Sequence, residues 1–244
     1  PVTRSYNEAM VRLLPQYGIS FIRIARFTTG GPQDEIISAC AELYETMNFK
    51  DVTLKEVGAK TSFTRTLIYY YFHTKEEIFL ALLQREHEAW VADLEELARQ
   101  GGALSVEEFA DRMARMLEKR KCMLKLMCMN LYDMEGNSRL ENLVAFKLAY
   151  AGALRAVTRC LEQFFPQMTA ADIQGFIYAF FPFMFGIYPY TVVTEKQKEA
   201  LRQSHTDYVL LSIYEITRDM AVKLLQGLEG HAPGAGGQGC AAEP

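Results

Sequence analysis

The sequence has little cysteine or histidine and none of the short motifs that metal sites and common enzymes need. Its five cysteines, at positions 40, 122, 128, 160 and 240, are odd in number and include no C-x-x-C pair, so neither a disulfide framework nor a zinc site is predicted. His87-Glu88 lacks a second histidine four residues later, and no G-x-S-x-G motif or glycine-rich phosphate loop occurs. We therefore expect no catalytic residue, no metal and no cofactor, and we predict that the protein is not an enzyme. Reduced thiols suit a cytoplasmic protein.

The chain also lacks the overall positive charge that marks many nucleic-acid binders. Lysine and arginine total 26 against 30 acidic residues, which gives a net charge of −4 and a pI near 5.7, so any nucleic-acid site must be local. Residues 1–30 are an exception, because Arg4, Arg12, Arg23 and Arg26 are opposed there only by Glu8. This N-terminal extension is interpreted either as a basic arm that contacts phosphates or as a solvated leader, and it lacks a signal-peptide pattern.

One long stretch of the chain lacks charge altogether. No Asp, Glu, Lys or Arg lies between Asp172 and Glu195, and this length approaches the roughly 20 residues that a membrane span requires. Pro182 and Pro189 interrupt the stretch, which favours a buried helix in a large interface. We expect no membrane partner; the alternative is a membrane-associated protein that uses residues 175–194.

Hydrophobic periodicity predicts an all-α protein. Four Ser/Thr-x-x-Glu capping boxes mark helix starts, at Thr53–Glu56, Thr74–Glu77, Ser105–Glu108 and Ser138–Glu141, with Thr169–Asp172 a weaker example. Helices are predicted at 33–48, 53–60, 64–70, 74–99, from 105, at 122–131, from 140 to 166, and at 170–190 and 205–226, with a turn at 133–137. The predicted domains are the N-terminal extension (1–30), a small DNA-binding domain (31–76), a larger helical regulatory and dimerisation domain (77–226), and a disordered tail (227–244).

Residues 33–83 have the spacing of a helix-turn-helix, which underlies the DNA-binding assignment. A short turn at 61–63 separates the second and third predicted helices, and in such motifs the later helix enters the major groove of DNA. Ile68 and Phe72 are predicted to point into the domain. The side chains predicted to point outward are Arg65, Thr66, Leu67 and Tyr70.

Four short motifs between residues 36 and 83 also follow a specific order. They are Asn48–Phe49, Thr53–Leu54, Tyr69–Tyr70–Tyr71–Phe72 and Lys75–Glu76–Glu77–Ile78. This arrangement resembles the tetracycline-repressor (TetR) family. The resemblance implies that Thr53, Tyr69 and Lys75 contact phosphates and that Arg65, Thr66, Leu67 and Tyr70 face base edges, with Thr64 a further DNA-binding residue. Ser62 departs from the family's usual glycine, and a Cβ there costs energy if φ is positive; Gly58 replaces the usual alanine.

The C-terminal half is rich in methionine and aromatic residues, which at helical spacing are more often core than ligand site. Methionine nevertheless adapts to irregular cavities, and the resemblance implies a site for a small apolar or amphipathic effector. The predicted pocket residues are Phe109, Met113, Met127, Asn130, Phe146, Tyr150, Phe180 and Met184. The last two helices are predicted to form a homodimer interface through Phe176, Phe180, Val209, Ile213, Ile216 and Met220.

The function predicted from these features is sequence-specific DNA binding that regulates transcription. The expected form is a ligand-responsive repressor that binds a palindromic double-stranded operator as a dimer. The alternative is a helical ligand-binding or signalling module that kept the fold without operator recognition.

Overall fold

The structure, a computed structural model, describes residues 30–229. The chain is all-α over these residues, as predicted, and no strand occurs among them. The helices are α1 (Pro32–Thr46), α2 (Leu54–Ala59), α3 (Arg65–Tyr71), α4 (Lys75–Gln100), α5 (Val106–Glu118), α6 (Lys121–Gly136), α7 (Leu140–Phe164), α8 (Ala170–Thr191), α9 (Glu195–Gln203) and α10 (Ile213–Glu229). The predicted basic arm, apart from Gly30, and the predicted tail beyond residue 229 lie outside the described residues.

The described chain divides into two compact units, each built from two stretches of sequence. Unit 1 holds residues 30–88 and 129–151, and unit 2 holds residues 89–128 and 152–229. Helices α4, α6 and α7 therefore each contribute residues to both units. The boundary predicted between residues 76 and 77 separates a DNA-binding domain from a regulatory domain, whereas the two units are defined by compactness. The functional boundary stays a prediction.

The core of unit 1 forms where α1, α2 and α3 pack on the first part of α4. Val57 of α2 and Ile68 of α3 are fully buried. The Phe79 ring of α4 lies 5.1 Å from the Tyr44 ring and 4.6 Å from the Phe49 ring, measured between centroids. Aromatic pairs at such distances add to the stability that burial supplies, so α4 is the support on which the three short helices are fixed.

The core of unit 2 contains many aromatic and methionine side chains beside its aliphatic ones. Helix α10 packs against α5 and α8. Phe109 of α5 contacts the rings of Phe164 and Phe165, with centroid distances of 6.0 and 5.2 Å. Phe176 stacks on Phe180 one turn later on α8 at 5.2 Å. Phe109, Phe176 and Phe180 are thus fully buried inside this unit.

The predicted capping boxes differ in how completely they form. Ser105 and Glu108 make the full reciprocal pair of hydrogen bonds, and so do Thr169 and Asp172. The Thr53 side chain accepts from backbone amides. The second bond of the box, from the Thr53 backbone amide to the Glu56 carboxylate, is not among its contacts. The Ser138 hydroxyl is buried without a hydrogen-bond partner, so the box predicted there does not form, and Glu141 instead pairs with Arg139 at 3.3 Å.

Two predicted boundaries are wrong. The turn predicted at 133–137 is instead the end of α6, which continues to Gly136; Asn137 donates from its backbone and its side-chain amide to the Asp133 carbonyl and closes the helix. The helix predicted at 205–226 begins only at Ile213 and extends to Glu229. A separate helix, α9, precedes it, and the capping residues that start it, Thr194 and Gln197, were not recognised in the sequence.

Helix α8 is, among the described residues, the one helix long and apolar enough to cross a membrane. Only 28% of its most apolar 18-residue window is buried inside the chain. A core or interface helix of a soluble protein passes the same test, and several of its exposed side chains are tyrosines, such as Tyr178 and Tyr190. Length and composition alone therefore give weak support to a membrane span.

Candidate nucleic-acid interface

The turn between α2 and α3 is fixed by local hydrogen bonds. Thr53, at the start of α2, accepts from the amides of Lys55 and Glu56 at 3.2 and 3.4 Å. The Thr61 hydroxyl donates to the Gly58 carbonyl at 3.2 Å, and the Ser62 amide donates to the Glu35 carboxylate of α1 at 2.6 Å. These bonds hold the entry to α3 against α1 and α2.

The two departures from the family pattern have simple structural explanations. Ser62 carries no strain, because the only non-glycine residue with positive φ among the described residues is His205. At Gly58, an added Cβ would lie 3.2 Å from Cδ1 of Ile68, which is a tight contact with a fully buried side chain. Glycine at position 58 therefore allows α3 to pack closely on α2.

Helix α3 exposes one face and buries the other. Arg65 and Thr66 are exposed, and Tyr70 is 74% exposed. Ile68 and Phe72 are buried, as predicted, at 0% and 4%. Leu67, predicted to point outward, is only partly exposed. The exposed side of α3 thus carries cationic, hydroxyl and aromatic groups, the types that contact bases and phosphates.

Arg65 and Tyr69 form a pair on the exposed face of α3. The Arg65 Nη2 donates to the Tyr69 hydroxyl at 3.2 Å, and the guanidinium carbon lies 5.5 Å from the Tyr69 ring centroid. The two residues are four apart, the spacing at which helical side chains meet. Tyr69, itself 41% exposed, therefore restrains the direction in which the guanidinium extends from the helix.

Lys75, at the first position of α4, has a structural partner that the sequence did not reveal. Its Nζ donates to the carbonyl of Phe49 at 2.7 Å and to that of Lys50 at 3.3 Å, and it lies 4.7 Å from the Phe49 ring centroid. An ammonium group has three donors, so one N–H remains for a phosphate. Lys75 therefore joins α4 to the loop that follows α1.

A buried ion pair ties the end of α3 to the start of α7. Glu77 is 1% exposed and accepts from the Arg139 backbone amide, Nε and Nη2 at 3.0, 2.7 and 3.0 Å, and from the His73 amide at 2.7 Å. The same Nη2 donates to the Tyr71 carbonyl, the last residue of α3, at 3.0 Å. We call this group the Glu77–Arg139 clamp.

Electrostatics favour the ionised form of the clamp carboxylate. Burial raises the pKa of Glu77, but the hydrogen bonds from Arg139 and His73 and the charge of Arg139 outweigh burial, and the pKa lies below its ordinary value. Sequence reasoning assigned Glu77 to a capping box and overlooked Arg139. The two residues are 62 positions apart, and no local pattern links them.

The predicted pocket residues are mostly buried but fall in both units. In unit 2, Phe109, Met113, Phe180 and Met184 are fully buried, and Met127 is 3% exposed. In unit 1, the side-chain amide oxygen Oδ1 of Asn130 accepts from the Tyr44 hydroxyl at 3.1 Å. The rings of Phe146 and Tyr150 lie 5.6 and 5.7 Å from that of His87. Their role as a ligand site stays a prediction.

A groove of about 700 Å³ lies instead between α5 and α10, within unit 2. Its lining includes Glu107, Asp111, Arg112, Tyr214 and Arg218, and none of the predicted pocket residues. Hydrogen bonds to Asp111 from Arg115 and Tyr214, at 2.9 and 2.6 Å, lower the pKa of that carboxyl. Most of the residues that line the groove are charged, which does not match an apolar effector.

The predicted dimer residues differ in what they expose. Phe176, Phe180 and Ile213 are buried within unit 2, at 0, 0 and 3%, and they have little surface to offer another chain. Ile216 and Met220 are less accessible than Val209. Val209 is 79% exposed and precedes α10 rather than lying on it.

No cluster of three or more histidine, cysteine, aspartate or glutamate side chains suited to a metal ion occurs within residues 30–229. None of the four described cysteines, Cys40, Cys122, Cys128 and Cys160, forms a disulfide. Burial raises the pKa of the Cys160 thiol to about 11, which keeps it protonated at neutral pH.

Comparison with protein families gives two adjacent matches. Residues 36–82 match the model described as bacterial regulatory proteins, tetR family, and residues 84–232 match the model described as tetracyclin repressor-like, C-terminal domain. Together the matches cover most of the chain, and the first coincides with α1 to α3 and the start of α4. A search of curated proteins found no match.

Several solved structures share the fold. The fatty acid degradation regulator FadR from Bacillus halodurans is 16% identical, with a TM-score of 0.53 over 81% of this chain and 97% of that one. FadR from Bacillus subtilis, solved in complex with stearoyl-CoA, is 14% identical, with a TM-score of 0.52 over 81% and 98%. The MbdR regulator from Azoarcus sp. CIB is 17% identical, with a TM-score of 0.50 over 80% and 97%.

Proposed function

The chain belongs to the TetR family of bacterial regulatory proteins, and from that premise we propose that it is a ligand-responsive repressor that binds a palindromic operator as a homodimer in the cytoplasm. Members of this family are DNA-binding transcription regulators rather than enzymes, and they act as dimers. The observation that carries the proposal is the exposed face of α3, held by a complete helix-turn-helix.

The exposed face of α3 suits the major groove. A groove about 12 Å wide admits one helix. Arg65 and Thr66 lie in the first turn of α3, and the first turn of a recognition helix usually contacts base edges. Arginine is the side chain best suited to guanine O6 and N7. Tyr70 is the most exposed aromatic side chain of the helix, and we assign it to base or sugar contacts beside those of Arg65.

The direct test is a gel-shift assay with the DNA upstream of the protein's own coding region. We expect a shift that excess unlabelled specific DNA removes and that scrambled DNA of equal length does not. Equal competition by both DNAs would favour the alternative, a helical module that kept the fold without operator recognition.

Replacing Lys75 by alanine is expected to weaken operator binding to a similar extent on all sequences, because phosphate contacts position a protein without reading bases. The slope of log affinity against log salt should fall by about one unit. Since Lys75 also holds two backbone carbonyls, the measurement needs a thermal melt beside the salt titration. A normal melting temperature with an unchanged salt slope would remove Lys75 from the phosphate contacts.

The effector we propose is a small apolar or amphipathic molecule bound by the C-terminal half. The methionine and aromatic residues of this half include fully buried Phe109, Met113 and Met184, and methionine side chains adapt to irregular shapes. Long-chain acyl-CoA is the first candidate, because one structural relative was solved with stearoyl-CoA. Binding would favour a state in which the two recognition helices are no longer one DNA turn, about 34–36 Å, apart.

A further inference from the structure

The segment 192–212, between α8 and α10, forms an arm with few contacts inside its own chain. All of its residues are described, and none of the nine residues of α9 is buried. Val192 and Val193 are only partly buried, and the residues from Arg202 to Ser212 are exposed. The rest of unit 2 therefore leaves this segment, which we call the arm, largely uncovered.

Helix α9 is stabilised by its own side chains. Thr194 and Gln197 form a full capping box, Lys198 pairs with Glu195 at 2.8 Å, and Arg202 pairs with Glu199 at 2.6 Å. Capping and pairs at this spacing support a short helix without a packing partner. The polar first half of the arm is thus held by its own side chains rather than by packing against the rest of unit 2.

The second half of the arm is apolar and exposed. Tyr208, Val209, Leu210 and Leu211 are 37, 79, 47 and 39% exposed, and these residues form neither helix nor strand. The Tyr208 hydroxyl donates to the Tyr190 carbonyl at 2.9 Å, which anchors the stretch beside the end of α8. Large contiguous patches of exposed apolar side chains mark protein or membrane interaction sites.

We propose that the arm of each protomer packs against the partner subunit in the homodimer, with Val209, Leu210 and Leu211 buried there. This inference rests on the homodimer of the proposed function. A second copy is the occupant the observations favour, because the arm directly connects α8 and α10, the two helices assigned to the interface. Tyr190 and Tyr178 add further exposed aromatic surface on α8, at 59 and 71%.

Two-fold symmetry doubles the apolar surface that the arms bury. An isologous interface repeats every contact, so two arms bury two copies of the apolar stretch. Stable interfaces need about 1,200–2,000 Å² of total buried surface, and the arms add area that α8 and α10 cannot supply through Phe176, Phe180 or Ile213, which are already covered. The dimer would then be held by exchange of segments as well as by packing of helices.

The first experiment compares the dimer dissociation constants of two variants by analytical ultracentrifugation of the full chain. In Val209→Glu/Leu210→Glu we expect that constant to rise about a hundredfold, with an unchanged circular dichroism spectrum because both side chains are exposed in the single chain. Met129→Glu/Tyr132→Glu, which adds two charges at exposed apolar side chains of α6 outside the arm, is the control and should dimerise normally. Normal dimerisation of the double variant would overturn the inference.

The second experiment identifies the surface that the arm touches. A photoreactive benzophenone amino acid is placed at position 209, and equal amounts of ¹⁴N- and ¹⁵N-labelled protein are mixed, allowed to exchange and irradiated. Cross-linked peptide pairs that combine both isotopes support the inference. If the wild type is a dimer but the benzophenone variant gives cross-linked peptides of one isotope only, the arm's placement is overturned. The homodimer itself would remain.

Two other outcomes would also overturn the inference. A wild-type chain that sediments as a monomer at all concentrations would remove both the homodimer and the arm contact. Sedimentation with vesicles of phosphatidylglycerol, lost in Val209→Glu/Leu210→Glu while dimerisation persists, would assign the arm to a lipid surface instead.

Discussion

Replacement of Arg139 by methionine is expected to lower the free energy of unfolding by about 3–5 kcal/mol, the usual cost of removing one partner of a buried ion pair. Glu77 would keep the His73 amide and the Arg139 backbone amide but lose both guanidinium bonds at a position that is 1% exposed. Urea denaturation followed by circular dichroism measures the change. Because Nη2 also holds the Tyr71 carbonyl, operator affinity should fall as well.

The clamp offers a matched control on the same arginine. Glu141 pairs with Arg139 at 3.3 Å, but its side chain is 60% exposed, and exposed pairs contribute about 0–1 kcal/mol. Glu141→Gln should therefore leave stability nearly unchanged. The double variant Glu77→Gln/Arg139→Met removes both charges and should recover part of the loss. Equal effects of Arg139→Met and Glu141→Gln would show that the clamp contributes no more than a surface pair.

The clamp also predicts a dependence of stability on pH. Since the pKa of Glu77 is lower in the folded chain than its ordinary value, the ionised carboxylate stabilises the fold fully above the unfolded pKa. This contribution is lost as the pH falls through the folded pKa. Arg139→Met should reduce the difference in stability between pH 7 and a pH below the ordinary glutamate pKa of 4.5, relative to the wild type.

Replacement of Arg65 by alanine is expected to relax base preference at one position of each half-site, by about 1–3 kcal/mol or roughly 5- to 150-fold in affinity ratio. Arg65 is exposed at the start of α3 and is directed by Tyr69. Competition binding with operators altered singly at each position measures the discrimination. Thermal stability should not change, since the side chain covers no core.

Two further variants separate charge from geometry at this site. Lysine keeps the charge of Arg65 but loses the planar fork needed for two bonds to one guanine, so Arg65→Lys should keep general affinity and lose discrimination. Tyr69→Phe removes the hydroxyl that accepts from Arg65 and keeps the ring, so its effect on the same position should be smaller. An identical base preference in Arg65→Ala would exclude Arg65 from base recognition.

The helical class and the helix-turn-helix could be predicted because their signals are local. The apolar positions of α1, the short turn at 61–63 and the exposed side of α3 all follow from spacing within a few residues. Gly58 shows the limit of such reasoning, because its close approach to Ile68 depends on how two helices pack. Ser62 shows the same limit, since only the backbone angle reveals that its Cβ causes no strain.

The features that sequence reasoning missed depend on distant residues. Lys75 reaches backbone carbonyls 25 and 26 positions away, and Arg139 reaches Glu77 across 62 positions. The arm was missed because Val209 and Ile213 are four residues apart and continue a helical stripe. In the structure a turn at His205, where φ is positive, and a stretch that is neither helix nor strand precede α10. Periodicity in the sequence does not distinguish a helix from apolar residues that flank one.

The most direct test of the central claim, operator recognition by a homodimer through α3, is selection of binding sites from random double-stranded DNA by the full-length protein. The account predicts a two-fold symmetric consensus with half-site centres one turn apart, about 10–10.5 base pairs or a multiple of it, and loss of preference at one position per half-site in Arg65→Ala. Recovery of no shared sequence, or of an asymmetric site unaffected by Arg65→Ala, would contradict it.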